Sequence, residues 1–112
     1  MTWLFAFVLT QLLELPIYWW GTRDSERSVA RRLVAGLGAS TLTHPILWFV
    51  LHPVLIDPLG YELFFVVGEV WVVLVEAMWL RALGIEHALR LAFAANAFSA
   101  GVGLLLAALL SG

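Results

Sequence analysis

Residues Tyr61 to Leu80 read YELFFVVGEVWVVLVEAMWL. A membrane-crossing helix needs about 20 mostly apolar residues at about 1.5 Å rise each. This stretch has that length, and its charged side chains are Glu62, Glu69 and Glu76, spaced by seven. Seven residues fall about 20° short of two turns on an ideal helix, so the acids form one stripe about 21 Å long. The reading is a helix in lipid with one face turned away from it.

Three further windows have the same character: Thr2 to Trp20, Leu33 to His52 and Leu89 to Leu110. Between them lie Gly21 to Arg32 (GTRDSERSVARR), Pro53 to Gly60 (PVLIDPLG) and Arg81 to Ala88 (RALGIEHA). The expected fold is all-α: a polytopic integral membrane four-helix bundle, with helices near 2–20, 33–52, 61–80 and 89–110 in a single transmembrane domain over residues 1–112. Composition points the same way. The 112 residues are 62% apolar and 12% charged, against roughly half and about a quarter in soluble domains. So short a chain could not hide this much Leu, Val, Phe and Trp from water.

The basic residues are six Arg with no Lys and form no run long enough to grip nucleic acid. Without Cys, disulfides, thiolate catalysis and Cys-ligated metals are excluded. The first window lacks a basic leader, contains Glu14 and Pro16, and ends in Tyr18-Trp19-Trp20, so it is expected to stay as a helix and not to be cleaved as a signal peptide. Arg23, Arg27, Arg31 and Arg32 occupy the first loop, and Arg81 and Arg90 flank the third. Positive-inside bias then predicts the first and third loops in the cytoplasm and both termini outside. Tyr18, Trp19, Trp20 and Trp79 are expected in the inner aromatic belt, and Trp3 and Tyr61 in the outer one. Trp48 and Trp71 fall deeper, as packing residues or as walls of a polar site.

An internal repeat is legible. Ala39-Ser40-Thr41-Leu42-Thr43-His44-Pro45 aligns with Ala95-Asn96-Ala97-Phe98-Ser99-Ala100-Gly101, and Glu14 pairs with Glu76, each a turn or two before a Trp. Helices one and two could thus be duplicated as helices three and four, related by an axis along the membrane normal. Gly36, Ser40 and Thr43 form one small-residue stripe, and Ala92, Asn96, Ser99 and Gly103 another; both suit close helix packing.

Charges near the bilayer centre cost about 3 kcal/mol on insertion scales, so intramembrane acids turn inward and mark pathways or sites. Counting from the cytoplasmic Arg puts Glu14, Ser40, Glu76 and Asn96 in one layer, about 8 to 12 Å deep. His44 and Glu69 fall about 18 Å deep, near the midplane, with Gln11 nearby. His52 and Glu62 share an outer level. This ladder suits proton or small-cation handling: a carboxyl in an apolar bundle can hold a proton and exchange it, and a histidine can pass protons between its two nitrogens. The expected pathway is Glu14, His44, Glu69, Glu76 and Asn96, supported by Gln11, Ser40, Thr43 and Ser99, with His52 and Glu62 as the outer entrance.

Each residue also has a structural reading. His44 precedes Pro45, which frees the Thr41 carbonyl at a kink; His52 and Glu62 could simply be solvated at the interface; Glu14 could pair with a loop Arg. A metal site would use His44 and Glu69, although no HExxH is present and His44 and His52 diverge round their helix. No catalytic motif or cofactor-binding loop appears. The segments THPILWFVLHP, EVWVVLVEAMWLR and AANAFSAGVG resemble a type of small bacterial four-helix inner-membrane protein without an assigned activity. That resemblance implies a bacterial inner-membrane setting and groups His44, Glu69, Glu76, Asn96 and Ser99. Length and an early acid, Glu14, are similar to the small multidrug resistance transporters, but the residues around Glu14 do not follow that family's pattern and drug transport is not carried over. The functions expected are proton or cation handling, with the lipid bilayer and a homo-oligomer as partners; alternatively, a non-catalytic subunit or assembly factor of a larger membrane complex; third, a membrane metal-binding protein.

Overall fold

The computed structural model describes residues 2–111, which are helical apart from short turns and contain no strand. The elements are α1 (Trp3–Gly21), α2 (Val29–Ile46), a π-helical turn (Leu47–Leu51), α3 (His52–Ala82) and α4 (Ala88–Ser111). Because α2, the π turn and α3 follow without a loop, there are three continuous helical stretches, Trp3–Gly21, Val29–Ala82 and Ala88–Ser111. Each is long and apolar enough to cross a membrane.

The stretch Pro53 to Gly60, expected as a loop, is therefore helical up to Gly60. In the π turn the N–H of His52 reaches back to the carbonyl of Leu47. Pro53, which has no N–H to give, follows directly on this wider turn. Gly60, with φ 77° and ψ 167°, leaves the helical region. Trp79 Nε1 donates to the Ala35 carbonyl at 3.2 Å across 44 residues of sequence. A straight helix would hold those residues about 66 Å apart, beyond the molecule's 43 Å longest extent. The chain thus folds back on itself within the long stretch. Packing runs in a ring: α1 on α2, α2 on α3, α3 on α4 and α4 on α1.

Capping explains the ends. Thr2 and Ser28 accept from the backbone N–H of Phe5 and Arg31, three residues on, to start α1 and α2. α3 ends in a Schellman motif: Ile85 N–H bonds the Leu80 carbonyl, Gly84 N–H bonds that of Arg81, and Gly84 takes the left-handed conformation at φ 79°. Arginines of the first turn and of the start of α2 cover the exposed carbonyls. Arg27 and Arg31 donate to Gly84 and Leu83, and Arg23 and Arg32 to Trp20 and Trp19, so positive charge meets the negative ends of α3 and α1. The first and third turns consequently lie at one end of the molecule.

The interior is made of small residues. Six alanines, Ala35, Ala39, Ala77, Ala88, Ala92 and Ala95, surround Tyr18, Leu80 and Ile85. Large apolar side chains point outward: Leu12 is 66% exposed, Met78 70% and Leu110 81%. Small residues inside let helix axes approach, and an outer coat of Leu, Val and Phe is compatible with lipid and costly in water.

Candidate functional site

Two carboxyls lie at the centre of the ring. Glu14 on α1 and Glu76 on α3 are each 1% exposed. Glu14 Oε1 accepts from the Ser40 hydroxyl at 2.7 Å, and its Oε2 accepts from Ser99. Glu76 Oε1 accepts from the Tyr18 hydroxyl and from Asn96 Nδ2, the latter at 3.1 Å, and its Oε2 accepts from Thr43 at 2.6 Å. All four carboxyl oxygens are filled by uncharged donors. Among the described residues the one ion pair is the exposed Arg23–Asp24 contact at 3.9 Å, so no Arg neutralises either buried acid.

The arrangement has an internal two-fold pattern. One constant offset carries Ala6, Thr10, Glu14 and Tyr18 of α1 onto Gly68, Val72, Glu76 and Leu80 of α3. Another carries Gly36, Ala39, Ser40, Thr43 and His44 of α2 onto Ala92, Ala95, Asn96, Ser99 and Ala100 of α4. Applied together they turn the Ser40–Glu14 bond into Asn96–Glu76, and the Ser99–Glu14 bond into Thr43–Glu76. The pattern breaks at Tyr18, whose counterpart is Leu80; both side chains are fully buried, but only Tyr18 brings a donor.

A cavity of about 100 Å³ adjoins the carboxyls, lined by Thr10, Glu14, Ser40, Thr43, His44, Leu47, Glu69, Val72, Glu76, Asn96, Ser99 and Ala100. It could take a few waters of about 30 Å³ each. Toward the Arg-bearing end, Tyr18 and Leu80 lie one turn beyond the two acids. With Ala35, Ala39, Ala92 and Ala95 they belong to one buried cluster, into which only the Tyr18 hydroxyl, bonded to Glu76, brings a polar atom. The cavity extends the other way, toward His44 and Glu69.

The remaining residues of the ladder are placed as follows. His44 and Glu69 line the same cavity, but no hydrogen bond joins them, and among the described residues Glu69 makes none at all. The His44 ring sits among Trp3, Phe7 and Trp48 at centroid distances of 6.2, 5.5 and 6.0 Å, and its buried Nδ1 has no partner. Trp48 is thus a packing residue against that ring. Gln11 lies elsewhere, with Nε2 donating to the Leu37 carbonyl and to Thr41, each at 3.0 Å, so it ties α1 to α2. His52 and Glu62 are both exposed; His52 packs edge-on against Phe64, and the two form no pair. No three His, Asp or Glu among the described residues come together as a metal-ligand set.

Tyr18, expected in the aromatic belt, is fully buried and donates to Glu76. The signal was present, since Tyr18 is four residues after Glu14 and so shares its buried face. Trp79, also assigned to the belt, is half-buried and donates inward to Ala35. No protein-family model, curated protein or solved structure matches the chain.

Proposed function

We propose that the chain is a four-span protein of the bacterial inner membrane that takes up and passes protons, or a small cation, at Glu14 and Glu76. In this reading the arms on either side of Gly60 cross the bilayer separately, the Arg-rich end faces the cytoplasm and both termini lie outside. Support for the orientation comes from Arg27 and Arg31, which bring the first turn onto the third. The matched donors support a tandem duplication of one helix hairpin about an axis along the membrane normal.

The observation that carries the proposal is that two buried carboxyls, with no ion-pair partner among the described residues, have every oxygen filled by this chain's own donors. Two uncompensated charges in an apolar interior are costly, and a proton relieves that cost. Two of the donors have an alternative. Thr43 Oγ1 is also 3.2 Å from the Ala39 carbonyl, and Ser99 Oγ 3.3 Å from that of Asn96. A hydroxyl has one proton to give. It donates to the carboxylate when that is ionised and turns to the backbone when the carboxyl is protonated, so both charge states are satisfied without moving a helix.

The same observation weighs against a subunit in which Glu14 and Glu76 wait for a partner helix, because these two acids are already satisfied within the chain. A homo-oligomer is part of the proposal, since this bundle encloses only about 100 Å³ beside the acids. Reconstitution in liposomes with an internal pH-sensitive dye tests the function. Proton flux is expected with the natural sequence and lost in Glu76→Gln and Glu14→Gln. Equal flux in Glu76→Gln overturns the proposal. A stoichiometric unrelated membrane protein in mild-detergent preparations would favour the subunit reading.

A further inference from the structure

Three carboxyls line the central cavity, and they are not alike. Glu14 and Glu76 are sealed, each 1% exposed with both oxygens bonded. Glu69 is half-buried, and among the described residues no donor of the chain reaches it. Of the two cavities that Glu69 borders, the groove between α3 and α4 presents apolar atoms and the central cavity presents polar ones, so the carboxyl opens to the central cavity. The Thr10 hydroxyl lines the same space and makes no hydrogen bond among the described residues.

Polar groups that border a cavity and lack protein partners are satisfied by water. The cavity, of about 100 Å³, takes about three waters of about 30 Å³ each. Number and distance agree. Glu69 and Glu76 are seven residues apart on α3, which places them about 10.5 Å apart along the axis and within about 20° on one face. That is too far for a direct bond between the carboxyls. Three waters make four links of about 2.7 Å, which cover about 11 Å.

We propose that water in the central cavity connects Glu69 to the Glu14–Glu76 pair, and that Glu69 is the carboxyl through which protons enter and leave on the side away from the Arg-rich end. This rests on the reading that the pair exchanges protons, and adds the route. A proton on Glu69 passes to the first water while each water hands one of its own onward, and the last water protonates Glu76. Glu69 is left ionised, Glu76 neutral and the waters unchanged. Thr43 turns its hydroxyl from Glu76 Oε2 to the Ala39 carbonyl, so that oxygen can hold the arriving proton. The titratable groups that share the cavity with Glu69 are Glu14 from α1, His44 from α2 and Glu76 from α3, while α4 brings the neutral Asn96 and Ser99. His44 is not a link in this chain: a relay through imidazole uses both nitrogens, and its Nδ1 is buried without a partner.

Two measurements decide the matter. A structure of the natural protein in lipid, at a resolution that shows ordered water, is expected to place about three waters between Glu69 and Glu76; a dry cavity overturns the proposal. In liposomes with an internal pH-sensitive dye, Glu69→Gln should slow proton flux by about a hundredfold, the order that a positioned acid–base group supplies. Glu69→Asp, which keeps a carboxyl, should restore most of it. Flux through the natural sequence should level off as the outside is made more acidic and Glu69 fills, whereas the residual flux of Glu69→Gln should keep rising with acidity; a purely structural Glu69 would leave the shape of that profile unchanged. Val72→Phe, which fills the cavity from a wall position that is 5% exposed and removes no titratable group, should stop flux as fully as Glu69→Gln. Full flux in Glu69→Gln or in Val72→Phe overturns this route and leaves the carboxyl pair standing, while absence of flux in the natural sequence overturns both. Because the water measurement uses the natural sequence, a variant that fails to fold does not rescue the proposal.

Discussion

Replacing Thr43 with Val keeps the shape of a side chain that is 1% exposed and exchanges its hydroxyl for a methyl group. Thr43 is the sole donor to Glu76 Oε2, while Tyr18 and Asn96 both serve Oε1. Thr43→Val therefore leaves one buried carboxyl oxygen empty. A hydrogen bond to a charged group contributes about 1.5–3 kcal/mol and one between neutral groups about 0.5–1.5 kcal/mol. The cost of Thr43→Val should thus be about 2 kcal/mol where Glu76 is ionised and about 1 kcal/mol where it is protonated and the hydroxyl serves only Ala39. The sign follows: the donor stabilises the charged form, so the cost of removing it rises with pH. Reversible unfolding by SDS titration in mixed micelles, followed by far-ultraviolet circular dichroism at several pH values, measures it. A double-mutant cycle with Glu76→Gln isolates the pair. A cost that is flat with pH, or equal in the natural and Glu76→Gln backgrounds, would refute the reasoning.

Gly84→Ala forces a Cβ into the left-handed conformation at φ 79° and against the Arg27 guanidinium; the same titration should show a loss of about 1–2 kcal/mol, and an unchanged midpoint would deny the Schellman turn its role. Gly38→Val would overlap the Trp79 indole, costing about 1–3 kcal/mol through overpacking and changing tryptophan emission; unaltered emission and stability would contradict that packing. Since the chain has no cysteine, single-cysteine labelling reads topology directly. In intact cells a membrane-impermeant maleimide should modify Asp57→Cys and leave Glu26→Cys untouched, and the opposite pattern would invert the proposed orientation.

How much the sequence discloses depends on which coordinate is asked for. Depth along a helix follows from counting, which is why Glu14, Ser40, Glu76 and Asn96, assigned to one layer, meet at one pair of carboxyls. Azimuth does not follow from depth. His52 and Glu62 are level by count yet turn outward separately, and Gln11 faces Leu37 and Thr41 on α2 instead of the cavity. Tyr18 shows the cost of reading an aromatic by position alone: its spacing from Glu14 carried the information that its nearness to Trp19 and Trp20 obscured. The helical stretch after Pro53 was hidden because a proline that follows a π turn and a proline in a loop look alike until that turn is known. The repeat is faint as letters, Ser against Asn and Thr against Ser, and is easier to see in the matched hydrogen bonds.

The central claim is that Glu14 and Glu76 take up and release a proton within the bundle. Infrared difference spectroscopy of the protein in lipid, stepped from mildly acidic to mildly alkaline pH, observes protonated carboxyls directly through their carbonyl stretch. A band that fades as pH rises, in the natural sequence and in Glu62→Gln, and is lost when Glu14→Gln and Glu76→Gln are combined, is the predicted result. A spectrum in which that double substitution leaves the titrating band unchanged would contradict it.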